Sequence, residues 1–286
     1  MYEQEITRMH RTAFIVAIDQ SGSMQDETTL YSRLMTKAQA VAILANALID
    51  ELVLRAKHGN TVRNYYDVAI LGYANDQVYS LLDYEGFVPI NLLAEKTPPV
   101  REVEIISTGI DGKTMRIQED YTEWIRPKSE GNTPMYEMLT LANEMIEQWC
   151  AEPQNADSFP PIVFNITDGQ ASDCSPTILK RAAQRLRSTA TNDGNTLLIN
   201  IHLSENANED ASRLLFPTQD EIPSDSETAQ LMADISSRFP TEFEPIVARI
   251  RGTSANPPYI AMGYNTSVAD AFSLLHIGSY SLSRIR

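Results

Sequence analysis

The chain has 286 residues, 43 % of them hydrophobic and 21 % charged, which is enough to bury a large core and leaves no low-complexity tract. Lys and Arg number 23 against 38 Asp and Glu, for a formal net charge of −15. That balance argues against a nucleic-acid partner, which needs a basic footprint, and disfavours anionic membrane surfaces.

Taken in order, the elements alternate between strand and helix, the signature of a parallel sheet. An apolar run at 13–18 (AFIVAI) reads as the first strand. A long helix is predicted at about 32–57, with Leu34, Met35, Ala38, Val41, Ala45, Leu48 and Leu52 at three- and four-residue intervals and Gly59 as its C-cap. Tyr66–Gly72 and Gln77–Leu82 flank Asn75-Asp76 and read as an antiparallel hairpin, so one edge strand should run in reverse. Residues 86–130 break the pattern with Pro89, Pro98, Pro99 and Pro127, and two alternating runs, Glu102–Ser107 and Thr114–Gln118, suggest a small surface hairpin there. Next come a helix at 134–149, a strand at Ile162–Thr167, a helix at 177–190 and a strand at Thr196–Leu203. The tail adds helices at Glu227–Arg238 and 266–276. The expectation is a doubly wound α/β fold: a mostly parallel central sheet with one antiparallel edge strand and helices on both faces. A single domain over 1–286 is expected, with a surface insertion at about 86–130 and a C-terminal helical extension at about 220–286.

The most informative cluster follows the first strand, where Asp19, Ser21 and Ser23 stand at alternate positions. One carboxylate and two hydroxyls form a hard-oxygen set suited to magnesium or manganese rather than zinc. Gly131-Asn132-Thr133-Pro134 opens the helix at 134, and Thr167-Asp168-Gly169 ends the strand begun at 162. In a doubly wound sheet, ligands gather outside the carboxyl ends of the strands, where Asp19 and Asp168 both stand.

Asp-x-Ser-x-Ser after the first strand, then Gly-x-Thr-Pro, then Thr-Asp-Gly after a later strand resembles the von Willebrand factor A family over roughly residues 10–205. In that family three such loops build the metal-ion-dependent adhesion site. The resemblance implies Asp19, Ser21, Ser23, Thr133 and Asp168 as the metal set, with Mg2+ as the ion and Mn2+ or Ca2+ as alternatives. It further implies that Ser21 and Ser23 bind directly, that Thr133 and Asp168 bind directly or through water, and that Asp19 holds water and orients the serines. The long segment at 86–130, just before the threonine loop, departs from the pattern. The function so implied is a noncatalytic protein-binding module of the bacterial intracellular type, whose metal engages an Asp or Glu of a partner protein. Adaptors beside AAA-type ATPases, kinases or phosphatases are the implied setting. The resemblance also implies that the last helix, here 266–276, moves when the metal site is engaged.

Other readings stand beside this one. Each loop residue alone is an ordinary strand-closing Asp or helix-capping Thr. A magnesium-dependent phosphohydrolase would keep its nucleophile at Asp19, but position 21 is serine where such enzymes carry a second aspartate, and the nearest lysine downstream of Asp168 is Lys180. A metal-free scaffold of the same fold is the third reading. Gln25, Asp26 and Glu27 read as a solvated rim, and Asp173 as a helix-opening residue. His10, His58, His202 and His276 are scattered and suggest no catalytic base. Met24 and Met135 lie beside the loops, whereas Tyr65, Tyr66 and Tyr73 read as packing residues. Cys150 and Cys174 match no metal or redox spacing and read as free thiols. The N-terminal residues carry acids where a signal peptide carries bases, and no run approaches the roughly 18 apolar residues of a membrane span. The cytoplasm is therefore expected.

Overall fold

Strand β1 (Thr12–Asp19) is buried at every position, which is why it reads as an unbroken apolar run. Its side chains alternate between two cores, as the period of a strand demands. Phe14, Val16 and Ile18 face one cluster, whereas Ile15 and Ala17 face the other. The computed structural model describes residues 2–30, 33–108, 114–203, 213–252 and 257–266. All but the first residue of the helix expected at 266–276 lies outside them, as does the Asp111-Gly112 turn.

After β1 come a short hairpin, β2 (Glu27–Leu30) with β3 (Arg33–Thr36), and helix α1 (Lys37–Ala56). The helix starts later than its periodicity suggested because Thr36 caps it. The Thr36 hydroxyl accepts from Gln39 N at 3.1 Å, and the Gln39 side chain accepts from Thr36 N at 3.0 Å. Leu34 and Met35 thus belong to β3, and Leu34 is exposed. Gly59 is not the C-cap, since Lys57 takes that place. Gly59 turns a small hairpin of β4 (Lys57–His58) and β5 (Thr61–Val62) at φ 62°.

The chain continues through β6 (Tyr66–Ala74), β7 (Gln77–Ser80), β8 (Val88–Pro89), the short α2 (Ile90–Leu93), β9 (Val100–Thr108) and β10 (Thr114–Thr122). The β6–β7 hairpin turns through Asn75 and Asp76, both at positive φ as a type I′ turn requires. Among the described residues, strands β9 and β10 pair only with each other, as the hairpin expected in the 86–130 segment. The segment's return is moored to α1: the buried Asn46 side chain accepts from Trp124 N and Ile125 N and donates to Ile125 O.

The rest comprises α3 (Met135–Ala151), β11 (Ile162–Thr167), α4 (Pro176–Ser188), a hairpin of β12 (Ala190–Thr191) and β13 (Gly194–Asn195), β14 (Leu197–Leu203), β15 (Leu214–Leu215), α5 (Glu227–Ile235), α6 (Glu244–Arg251) and β16 (Met262–Thr266). The central sheet runs β15-β16-β14-β11-β1-β6-β7, with β8 also on β6. Strands β16, β14, β11, β1 and β6 are parallel, and β7 is the expected reversed edge. Two further strands run in reverse, β8 on β6 and β15 beyond β16 at the opposite edge. The segment expected to be a helical extension therefore supplies a strand of the main sheet. Its sequence, Met-Gly-Tyr-Asn-Thr, is too short and too polar to announce one. Helices α1 and α6 cover one face and α3, α4 and α5 the other, giving the doubly wound, Rossmann-like α/β arrangement.

A polar relay threads the second core. Tyr73 Oη donates to Asn165 Oδ1 at 2.7 Å, Asn165 Nδ2 to Asn200 Oδ1 at 3.0 Å, and Asn200 Nδ2 to Ser236 Oγ at 3.0 Å. It links β6, β11 and β14 to the end of α5, and all four of its residues are buried. Asn165→Leu should cost about 2–4 kcal/mol in denaturant unfolding, because it orphans both Tyr73 Oη and Asn200 Oδ1. Adding Tyr73→Phe should recover part of that loss. A near-neutral Asn165→Leu would show the relay to be energetically idle.

Candidate metal-binding crevice

The chain leaves β1 for β6 on one side and later returns to β11 on the other. The loops that follow β1 and β11 therefore part at a topological switch point, where α/β sheets form a crevice. The β1–β11 register pairs Ile18 with Ile166, so Asp19 falls beside Thr167. Thr167 Oγ1 donates to Asp19 Oδ2 at 2.6 Å, and Ser21 N donates to Asp19 Oδ1 at 2.8 Å. Asp19 thus holds the turn that presents Ser21 and Ser23. Their hydroxyl oxygens lie 3.2 Å apart, and Ser23 Oγ donates to Asp168 Oδ1 at 2.6 Å. Ser23 is exposed, while Asp19, Ser21, Thr133 and Asp168 are buried.

The threonine loop is drawn to the same place by backbone bonds. Gly22 N donates to Gly131 O at 2.9 Å and Glu130 N to Gln20 O at 2.7 Å. Thr133 N donates to Ser172 Oγ and Ser172 N to Thr133 O, joining it to the loop after β11. A Cβ placed on Gly169 would lie 3.7 Å from Thr133 Oγ1 and 3.9 Å from Ser23 Oγ, so both hydroxyls border the space before Gly169. Gly131 stands at φ 72°, where a Cβ would collide with Asn75, and only glycine lets the loop pass. All five candidate residues are therefore brought together. Asp173 opens a helix other than its own: its carboxylate accepts from Tyr136 N and Glu137 N at the start of α3.

One group in the crevice went unnoticed in the sequence. Lys37, the first residue of α1, is fully buried, and its Nζ lies 2.8 Å from Asp168 Oδ2. No lysine lies close downstream of Asp168 in the sequence, but the fold delivers one from upstream. The available signal was a cation at the positive end of a helix dipole, a position that calls for a compensating anion. Burial pushes the Asp19 carboxyl up to about 6, opposed by hydrogen bonds from Ser21 and Thr167 and reinforced by the charge of Asp168. Burial likewise drives the His202 imidazole down to about 4, with Asp168 and Lys37 acting in opposite senses. His202 stacks on Tyr264 with ring centroids 4.7 Å apart, and its Nδ1 has no hydrogen-bond partner among the described residues.

The donor set fits a hard divalent cation. Adjacent oxygens around an octahedral magnesium ion, each at about 2.0–2.1 Å, stand about 2.9 Å from one another, close to the Ser21–Ser23 spacing of 3.2 Å. No three His, Cys, Asp or Glu residues gather into a metal-holding group among the described residues, so any cation held here would meet mostly hydroxyl oxygens. That composition suits magnesium, manganese or calcium and not zinc.

No protein-family model matches the chain, and no curated protein matches it at a significant level. Among solved structures it is similar to a von Willebrand factor type A protein from Catenulispora acidiphila, at 15 % identity and TM-score 0.41, over 68 % of this chain and 34 % of that one. It is also similar to an aerotolerance-related membrane protein from Bacteroides fragilis, a form with multiple mutations to serine, at 10 % identity and TM-score 0.43, over 94 % of this chain and 100 % of that one. A third is the vWF domain of the type V pili tip protein Mfa5 from Porphyromonas gingivalis, at 14 % identity and TM-score 0.31, over 57 % and 39 %. The chain spans about a third of the first structure's length. With similarity this distant, the α/β class rests on the chain's own strand order and registers. No helix among the described residues is long and apolar enough to cross a membrane.

The two shifted groups act oppositely on stability. The depressed His202 value stabilises the fold above pH 6.5, by up to about 3 kcal/mol, and this is lost as pH falls from 6.5 towards 4. The raised Asp19 value makes the fold gain stability as pH falls from about 6 towards 3.8. His202→Phe, which keeps a ring on Tyr264, should therefore gain stability relative to the wild type on acidification from pH 7 to 4.5 in EDTA. Parallel pH curves from denaturant melts would rule this out.

Proposed function

We propose that the chain is a noncatalytic protein-binding module of the von Willebrand factor A type that works in the cytoplasm. Its crevice holds a divalent cation, magnesium first and manganese or calcium as alternatives, and takes an Asp or Glu side chain of a partner. The observation that carries this reading is the joined set Ser21–Ser23–Asp168, with Thr133 beside it, at the switch point. Ser21, Ser23 and Thr133 would hold the cation with neutral oxygens, Asp168 would stand next to it, and Asp19 would fix the loop. The bound cation would supply an electrophilic centre with a replaceable ligand position.

Asp19 is not set up as a nucleophile. It is fully buried, and both its oxygens already accept hydrogen bonds from Ser21 N and Thr167. That favours binding over phosphoryl transfer. A groove of about 720 Å³ begins at Gln20, beside the crevice, lined among others by Tyr79, Tyr84, Lys96, Trp124, Arg126 and Lys128. Its three cations stand beside two lining acids, Asp83 and Glu123, with Arg126 paired to Glu123 and Lys128 to Glu130. Lys96, seated over the Tyr84 ring, is the groove cation that an acidic partner segment would meet. By analogy with the family resemblance, such partners would include AAA-type ATPases, kinases or phosphatases.

The buried Lys37–Asp168 pair favours one second reading, a scaffold that keeps its crevice closed without metal. Thermal unfolding separates the two. With magnesium at a hundred times its dissociation constant, the binding module gains about 2.7 kcal/mol, and Ser21→Ala/Ser23→Ala removes the gain. Equal magnesium effects on both proteins would leave the scaffold. Pull-downs in magnesium and in EDTA, with the double variant as control, then test whether capture depends on the crevice.

A further inference from the structure

Lys37 stands at the first position of α1, against the helix dipole and with no acid in that turn to offset it. Its side chain is wholly buried, a costly place for an ammonium group unless an anion meets it. Two carboxylates do. Asp168 Oδ2 is 2.8 Å away with its side chain equally buried, and Asp26 Oδ2 is 3.6 Å away on an exposed side chain. The oxygens of Asp168 are therefore divided: Oδ1 takes the Ser23 hydroxyl on the crevice side, and Oδ2 takes the lysine. Asp19 receives only neutral donors. Asp19, Asp168 and Asp26 against one ammonium leave the crevice and its rim with two formal negative charges in place of three.

We propose that Lys37 is a positioning residue that sets the charge of the crevice. It neutralises Asp168 through that residue's second oxygen, so the site grips a divalent cation less tightly and leaves more of the cation's charge for a partner's carboxylate. The inference rests on the metal-binding reading above. It follows from counting charges at short range, because a buried pair is screened far less than a surface one. Removing the ammonium restores a full carboxylate beside the cation. Metal affinity should then rise and the attraction for an outside carboxylate should fall. A merely structural lysine would lower both.

The test uses Lys37→Met and Lys37→Gln, with Mn2+ alone as the metal probe and acetate as the carboxylate probe. Calorimetry of Mn2+ should show tighter binding by about tenfold or more in either variant. Acetate titrated into the Mn2+-loaded proteins, followed by water-proton relaxation, should bind several-fold more weakly than to the wild type. Mn2+ affinity that is unchanged or lower in a folded variant would overturn the proposal, as would both affinities falling together. If the variants do not fold without metal, folding rescued by Mn2+ supports it, because the ion then takes over the neutralisation of Asp168. A variant that stays unfolded in Mn2+ counts against it. Failure of the underlying reading looks different: the wild type itself takes up no Mn2+ that Ser21→Ala/Ser23→Ala abolishes, and both claims fall.

Discussion

Two carboxylates buried side by side at the ends of neighbouring parallel strands are the constraint around which this protein is arranged. Parallel pairing of β1 with β11 puts Asp19 and Asp168 at one sheet edge. Neither can be stripped of water there without replacement donors. The chain answers in two ways. Asp19 is given neutral donors, a backbone N–H and the Thr167 hydroxyl, and its carboxyl is left with an affinity for protons raised to about 6. Asp168 is given a hydroxyl and a buried ammonium. The first carboxylate becomes a structural peg for the serine loop. The second remains a charged participant with one oxygen facing the crevice.

The three loops are then tied to one another by bonds that need no ion. Backbone contacts between Gly22 and Gly131, between Gln20 and Glu130, and between Thr133 and Ser172 set the crevice before anything binds. Such preorganisation matters for a small, strongly hydrated cation. Magnesium gives up water reluctantly and tolerates little error in geometry, so ordering the loops on binding would consume much of the available free energy. The Asn165 relay has a related effect deeper in, holding β6, β11 and β14 to α5 through directional bonds that slippage of a strand would break.

The architecture was largely legible in the sequence where the signal is local. Strand 162–167 was read to the residue, and Asn75-Asp76 announced its hairpin, because unbroken apolar runs and type I′ turn residues are written in adjacent positions. The start of α1 was misread since Leu34 and Met35 continue the helical spacing, yet the Thr36–Gln39 capping box ends the strand behind them. β16 escaped notice for a different reason. Five residues that contain glycine and asparagine become a strand only by lying against β14, a tertiary effect with no local trace. The candidate site divides the same way. Asp19, Ser21, Ser23, Thr133 and Asp168 are visible as spaced motifs, whereas Lys37 lies 131 residues from its partner and carries no motif. Its oddity at a helix start was visible, but not the anion that resolves it.

Lys37 also changes how the acidity of the whole chain bears on the crevice. A net charge of −15 ought to repel an acidic partner and attract cations indiscriminately. Beyond about 8 Å in physiological salt that field is screened, and what remains is set by the groups within reach. Within reach there are two buried carboxylates, the exposed carboxylate of Asp26, one ammonium and a ring of neutral hydroxyls, flanked by a groove in which Arg126 and Lys128 are paired with Glu123 and Glu130. A site of higher negative charge would hold a divalent ion more firmly while cancelling the charge that a partner's carboxylate must meet. A site of lower negative charge would not hold the ion. On the proposed reading, one buried lysine behind one of the two buried aspartates moves the crevice between those limits and leaves untouched the hydroxyls that would face the ion.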